Sequence, residues 1–162
     1  MFKFGIAKAI LDINNYQVYL NEALLNKEDK DIEDVREFVI AELLKDPKIL
    51  YAFDLSKTST SSLPEPIKTR AINGYNWKRS GEIQFVTKDG LMAHYAKKGT
   101  THSVWNSYDS HIPLVFMGWK IKNGESNNSY NMTDIAPTLS ALLHIEFPSG
   151  NIGNPIPEIF ED

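Results

Sequence analysis

Pro113-Leu114-Val115-Phe116-Met117 is an apolar run uninterrupted by any polar residue. Successive side chains of a strand point to opposite faces, so a strand of this composition needs cover on both. Pro113 is tolerable at its head, because the first residue gives up no interior ladder bond. Cover on both faces of a sheet usually comes from helices, and the rest of the chain alternates helix and strand accordingly. From Asp31 to Asp46 the spacing predicts a helix. Asp31 stands at the N-cap, and Glu33 and Asp34 meet the positive helix end. Ile32, Val35, Phe38, Val39 and Leu43 recur at helical period, with Lys45 in the last turn and Pro47 as the stop. The class this predicts is α/β.

Around that frame, Ile49-Leu50-Tyr51-Ala52-Phe53 reads as a strand. Glu82–Thr87 alternates polar and apolar and reads as another, ending at the turn Lys88-Asp89-Gly90. Residues 16–26 read as a strand or the start of a helix, which period alone does not separate. Ser56–Pro66 is rich in Ser, Thr and Pro and reads as an exposed loop. A helical turn is expected over Ile67–Asn73 with Gly74 as its stop. A second amphipathic helix is expected after Thr133 as N-cap and Asp134 at N1, with Ile135, Leu139, Leu142 and Leu143 as its apolar face. The tail from Pro148, punctuated by Gly150, Gly153, Pro155 and Pro157, is expected to be extended.

At 162 residues the chain is long enough to bury a core, as one domain or as a piece of a larger one. A hydrophobic content of 42% with 23% charged residues argues against general disorder. A net charge of −4 makes a nucleic-acid partner unexpected, since phosphate binding calls for a basic surface. With no cysteine, disulfides, thiol catalysis and Cys-ligated zinc are excluded. The opening Met1–Ile10 stretch is too short and too charged for a membrane span, and it lacks the apolar core of a signal peptide. The expectation from it is a cytoplasmic protein, or one whose own N-terminus lies further upstream.

No Gly-x-Ser-x-Gly elbow, Walker loop or Gly-x-Gly-x-x-Gly occurs, so neither that type of serine hydrolase nor nucleotide cradling has a motif here. Metal chemistry rests on His94, His102, His111 and His144, no two of which share a His-x-x-x-His spacing. His144 follows a helix end, where a contact with the negative helix terminus is expected. His94 is expected at the surface. His111 heads the apolar run, where hydrogen bonding and catalysis are both open. His102 differs by its setting, a Gly99-Thr100-Thr101 turn that delivers an imidazole just upstream of that run.

Several collinear motifs carry a family resemblance. Pro64-Glu65-Pro66-Ile67-Lys68-Thr69-Arg70 through Asn76 and Lys78–Gln84 come first. Gly99-Thr100-Thr101-His102, Tyr108–Trp119, Met132-Thr133-Asp134-Ile135-Ala136-Pro137-Thr138-Leu139 through Leu143, and Gly150–Ile156 follow in order. Together they resemble the C-terminal part of an alkaline phosphatase-superfamily enzyme, nearest to its bacterial PafA-like group and related to nucleotide pyrophosphatase/phosphodiesterases.

The resemblance implies a partial alkaline phosphatase-like α/β fold, a mixed sheet flanked by helices, with residues 1–162 forming one segment of a larger catalytic domain. It implies hydrolysis of phosphate monoesters at two zinc ions, with His102 as a zinc ligand. The nucleophile and the other ligands of the family lie upstream of anything in this chain, so no catalytic residue is assigned and inactivity of the chain alone is expected. A periplasmic location is implied for the complete protein, with no nucleic-acid or membrane partner. A non-catalytic docking or self-association module derived from such an enzyme is the alternative, as is part of a phosphodiesterase or sulfatase of the same superfamily. Ser103 stands where the family has Gly after the histidine, which bears on the surroundings of His102. Glu82 stands where an Asp is common, a change expected to be structural.

Overall fold

The computed structural model describes residues 5–91 and 105–160. The chain gathers into two compact units, Met1–Ile112 and Pro113–Asp162. Each is taken by itself.

The first unit is built on a four-stranded sheet of order β1-β2-β4-β3. The strands are β1 (Ile10–Asn14), β2 (Gln17–Leu20), β3 (Ile49–Asp54) and β4 (Ile83–Thr87). All three pairings are antiparallel. Asn15 and Tyr16 both have positive φ, which makes the β1–β2 connection a two-residue turn of the type that matches strand twist. Helices α1 (Glu22–Lys27), α2 (Ile32–Leu43), α3 (Ile67–Gly74) and α4 (Ser107–Ser110) accompany the sheet.

Alternation along β4 sorts the core into two clusters. Ile83 and Phe85 join Ile6, Val18, Leu20, Leu25 and Val35, together with the apolar side of α2. Val86 points the other way and joins Phe53, Leu55 and Ala71, with Ile67, Tyr75 and Trp105 packed around them. The α/β layering expected from the sequence is therefore present, with an apolar cluster on each side of β4, while β1 is exposed along its whole length.

Local chemistry explains most boundaries. The Asp31 carboxylate accepts the Glu33 N–H at 2.8 Å and starts α2 at the predicted place. Residues 16–26 resolve into both alternatives, strand and then helix, with Asn21 capping α1 through the Leu24 N–H at 3.1 Å. The expected loop at 56–66 instead opens with a 3₁₀ helix at Leu55–Thr60 whose Leu55 and Thr58 are buried. Its hydroxyls bond backward, Thr58 Oγ1 to the Leu55 carbonyl at 2.9 Å and Ser61 Oγ to the Thr58 carbonyl at 2.7 Å. A composition that reads as loop can thus close a helical turn on itself. Asp54 caps this turn through Ser56 and meets Arg36 of α2 at 3.4 Å, joining helix to sheet.

In the second unit, α5 spans Ile135–Leu143, entered through a 3₁₀ turn at Met132–Asp134. The cap is Asn131, two residues before the predicted Thr133, because the Asp134 carboxylate reaches back to the Asn131 N–H at 2.8 Å. His144 ends the helix in the left-handed region, with its N–H on the Ala141 carbonyl and the Ile145 N–H on the Ser140 carbonyl. That pair of bonds is the Schellman closure, normally made with glycine. The tail carries no helix or strand until a 3₁₀ turn at Pro157–Ile159. Pro113–Met117 is not a strand. It is mostly exposed and pairs with no strand among the described residues.

Candidate functional site

His102 and its Gly99-Thr100-Thr101 turn lie outside the described residues, as do His94 and Ser103. The two ends of that segment are described, and both are fastened to the first unit. Before it, Gly90 adopts a φ of +73°, and its N–H donates to the Tyr108 hydroxyl at 3.1 Å. After it, Trp105 packs against the Phe53/Val86 cluster, and its carbonyl accepts from Arg70 Nη1 at 3.2 Å. Asn106 Nδ2 donates to the same Tyr108 hydroxyl at 2.7 Å. One phenol therefore links the residues on either side of the segment that carries the candidate ligand.

His111 sits immediately after α4, exposed, with its backbone N–H on the Ser107 carbonyl at 2.8 Å. His144 is the helix-closing residue described above. Among the described residues, no three His, Cys, Asp or Glu side chains come together as a metal site. The described part of the chain thus brings no second ligand set into play.

Residues in three other motifs of the resemblance hold the scaffold. Glu82 Oε2 accepts the Leu20 N–H at 2.6 Å, which gives this side chain the structural role expected of it. The Gly81 N–H donates to Gln17 Oε1 at 2.8 Å, and a Cβ on Gly81 would stand 2.6 Å from the Val18 carbonyl oxygen. In the second unit the buried Asp134 carboxylate accepts the Asn131 and Asn154 N–H groups, at 2.8 and 2.9 Å. Gly153 lies so close that a Cβ there would be 2.1 Å from the Thr133 carbonyl oxygen. Residues 131–138 thereby fasten the 151–156 tail.

One exposed cluster has a distinct electrostatic character. Glu158 accepts from the Tyr130 hydroxyl, from Asn128 and from Ser126, the last at 3.0 Å. Donation from Tyr130, helped by the Glu158 backbone N–H and by Asn128, holds this carboxyl down to about 2. The same bond raises the Tyr130 phenol. A single carboxylate here closes the 126–130 loop onto the tail.

No family model matches the chain. Individual relatives do. It is 59% identical over 157 residues to alkaline phosphatase PafA of Elizabethkingia meningoseptica, covering 97% of this chain and 29% of that protein. It is 44% identical to a protein of Myroides odoratus named calcium-transporting ATPase, covering 98% of the chain and 29% of the relative. With alkaline phosphatase PhoV of Synechococcus elongatus the identity is 42%, over 92% of the chain and 27% of the relative. The crystal structure of wild-type PafA superposes with a TM-score of 0.94 at 58% identity, over 98% of this chain and 31% of that one. The chain thus spans less than a third of the length of the relatives it matches. Over nearly its whole length it is homologous to a segment of PafA-type alkaline phosphatases, and it folds as that segment does.

Proposed function

We propose that this chain is the C-terminal segment of the catalytic domain of a zinc-dependent phosphate-monoester hydrolase, with His102 as one ligand of a two-zinc centre. The observation that supports this most is the 59% identity with PafA across 97% of the chain. Zinc, when bound, stabilises the attacking and leaving oxygens of a phosphate ester.

The residues present fit a share of such a site and no more. An imidazole that follows Gly99-Thr100-Thr101 in sequence is a suitable zinc donor in a chain with no cysteine. The fastening of both flanks through Tyr108 and Trp105 suits a ligand that must be held in register with others. In this reading the nucleophile and the remaining ligands come from the rest of the domain, and the segment is inactive by itself. The complete protein acts in the periplasm, which fractionation of the native host checks directly.

The test is a chimera in which this chain replaces the matching part of Elizabethkingia PafA. The expected result is two zinc ions per molecule by elemental analysis and about one fewer after His102→Ala, with loss of nitrophenyl phosphate turnover. Full zinc content in that variant would remove His102 from the centre. The exposed apolar surface of the second unit also favours an interaction role, and the two readings part on whether the chimera turns over.

A further inference from the structure

Asn-Gly occurs twice in the sequence, at Asn73-Gly74 and at Asn123-Gly124. The pair is chemically special, because glycine has no side chain to shield its backbone nitrogen from the neighbouring carboxamide. Both asparagines are exposed, so water reaches the two alike. Their backbones differ. Asn73 and Gly74 close the last turn of α3, where the Gly74 N–H belongs to the helix's own hydrogen-bond ladder. Bringing that nitrogen onto the Asn73 side chain means breaking the turn. Asn123 and Gly124 belong to no helix or strand. Among the described residues no backbone carbonyl accepts the Gly124 N–H, and no hydrogen bond holds the Asn123 carboxamide. A Cβ at Gly124 would meet nothing within 4 Å, so the approach is unobstructed.

We infer that Asn123-Gly124 is a self-modification site, where the loop converts its own asparagine to isoaspartate and aspartate. The Gly124 nitrogen gives its proton to water and attacks the Asn123 Cγ. The N–Cγ bond forms, the Cγ–Nδ2 bond breaks, and ammonia leaves with a proton, closing a five-membered succinimide. Water then opens the ring at either carbonyl. Opening at the backbone carbonyl leaves the main chain running through Cγ, which is isoaspartate. Opening at Cγ gives aspartate. In sum one water is taken up and one ammonia released. Either product adds one negative charge to a chain of net charge −4, beside Lys122 and close to Glu125.

The test holds the 162-residue chain in warm, mildly alkaline buffer and follows both sites by peptide mass mapping. Isoaspartate is located by methyl transfer from a protein isoaspartate methyltransferase. The Asn123 peptide is expected to gain one mass unit at least about tenfold faster than the Asn73 peptide, and to accept methyl groups. Gly124→Ala, which has room for its Cβ, should slow conversion at Asn123 at least about tenfold and leave the urea midpoint unchanged. In strong urea the two sites should convert at similar rates, because the helix that holds Gly74 is gone. Equal rates in the folded chain, including none at either site, would overturn the inference, as would faster conversion at Asn73. An unslowed Gly124→Ala would overturn it too. So would a gap that persists undiminished in urea, which would trace it to neighbouring side chains and not to the fold. The readout involves neither zinc nor turnover, so it stands or falls apart from the phosphatase reading.

Discussion

The Thr138 hydroxyl accepts the backbone N–H of Ile156 at 2.9 Å, and both residues are buried. This bond decides which side of α5 faces the tail. Thr138→Val keeps the volume and removes the acceptor, stranding a buried N–H at a cost of about 1–3 kcal/mol. Urea unfolding measures it, with Thr138→Ser expected to retain most of the stability. A Thr138→Val protein as stable as the parent would show that the tail is held by other means.

Gly153 is required by close approach. With a Cβ placed 2.1 Å from the Thr133 carbonyl oxygen, Gly153→Ala has to displace backbone, and a loss of about 1–3 kcal/mol is expected. Gly150→Ala, where a Cβ meets nothing within 4 Å, is the control and should change stability by less than about 0.5 kcal/mol.

Glu158 gives the second unit an acid limit. Its carboxyl is lowered from 4.5 to about 2, chiefly by the Tyr130 hydroxyl. A depressed carboxyl contributes stability that is complete above the ordinary value and is lost as pH falls through the lowered one. Loosening of the 126–130 loop is thus expected between about pH 4.5 and 2. Tyr130→Phe should move the Glu158 titration back toward 4.5 in carbon-detected NMR. For Tyr130 the sign is opposite: its raised phenol contributes below the ordinary value of 10.0, and the contribution is lost as pH rises through the raised value.

His144 occupies a glycine's place at the end of α5, with φ of 55° and ψ of 41°. His144→Gly relieves the left-handed strain, and a gain of about 0.5–1 kcal/mol is expected by thermal or urea unfolding. A loss would mean that the imidazole makes a contact worth more than the strain.

Where an element's signals are all local, the chain was legible. Asp31, the apolar period and Pro47 mark out α2, and the alternation of Glu82–Thr87 marks β4, each within three residues of its structural bounds. Signals that depend on a neighbour misled. Strand β1 went unread because its hairpin turn places Asn15 and Tyr16, without a glycine, at positive φ. The 3₁₀ helix at Leu55–Thr60 was hidden by serines and threonines that bond backward onto their own turn. Pro113–Met117 has strand composition, but a strand exists only beside another. Leu139 and Leu143 of α5 follow helical period and still face outward, because Thr138 and the tail fix the helix's rotation. As for the site, the motif around His102 was read by family resemblance and lies outside the described residues, while Gly81, Glu82, Asp134 and Gly153 of the other motifs hold the scaffold of their own units.

The central claim is that this segment carries a zinc ligand and no catalytic machinery of its own. Its most direct test is nitrophenyl phosphate hydrolysis by the 162-residue chain with zinc added, alongside the PafA chimera. The account predicts no turnover above background for the chain, and zinc-dependent turnover for the chimera that His102→Ala removes. Zinc-dependent turnover by the chain alone, abolished by His102→Ala, would contradict it.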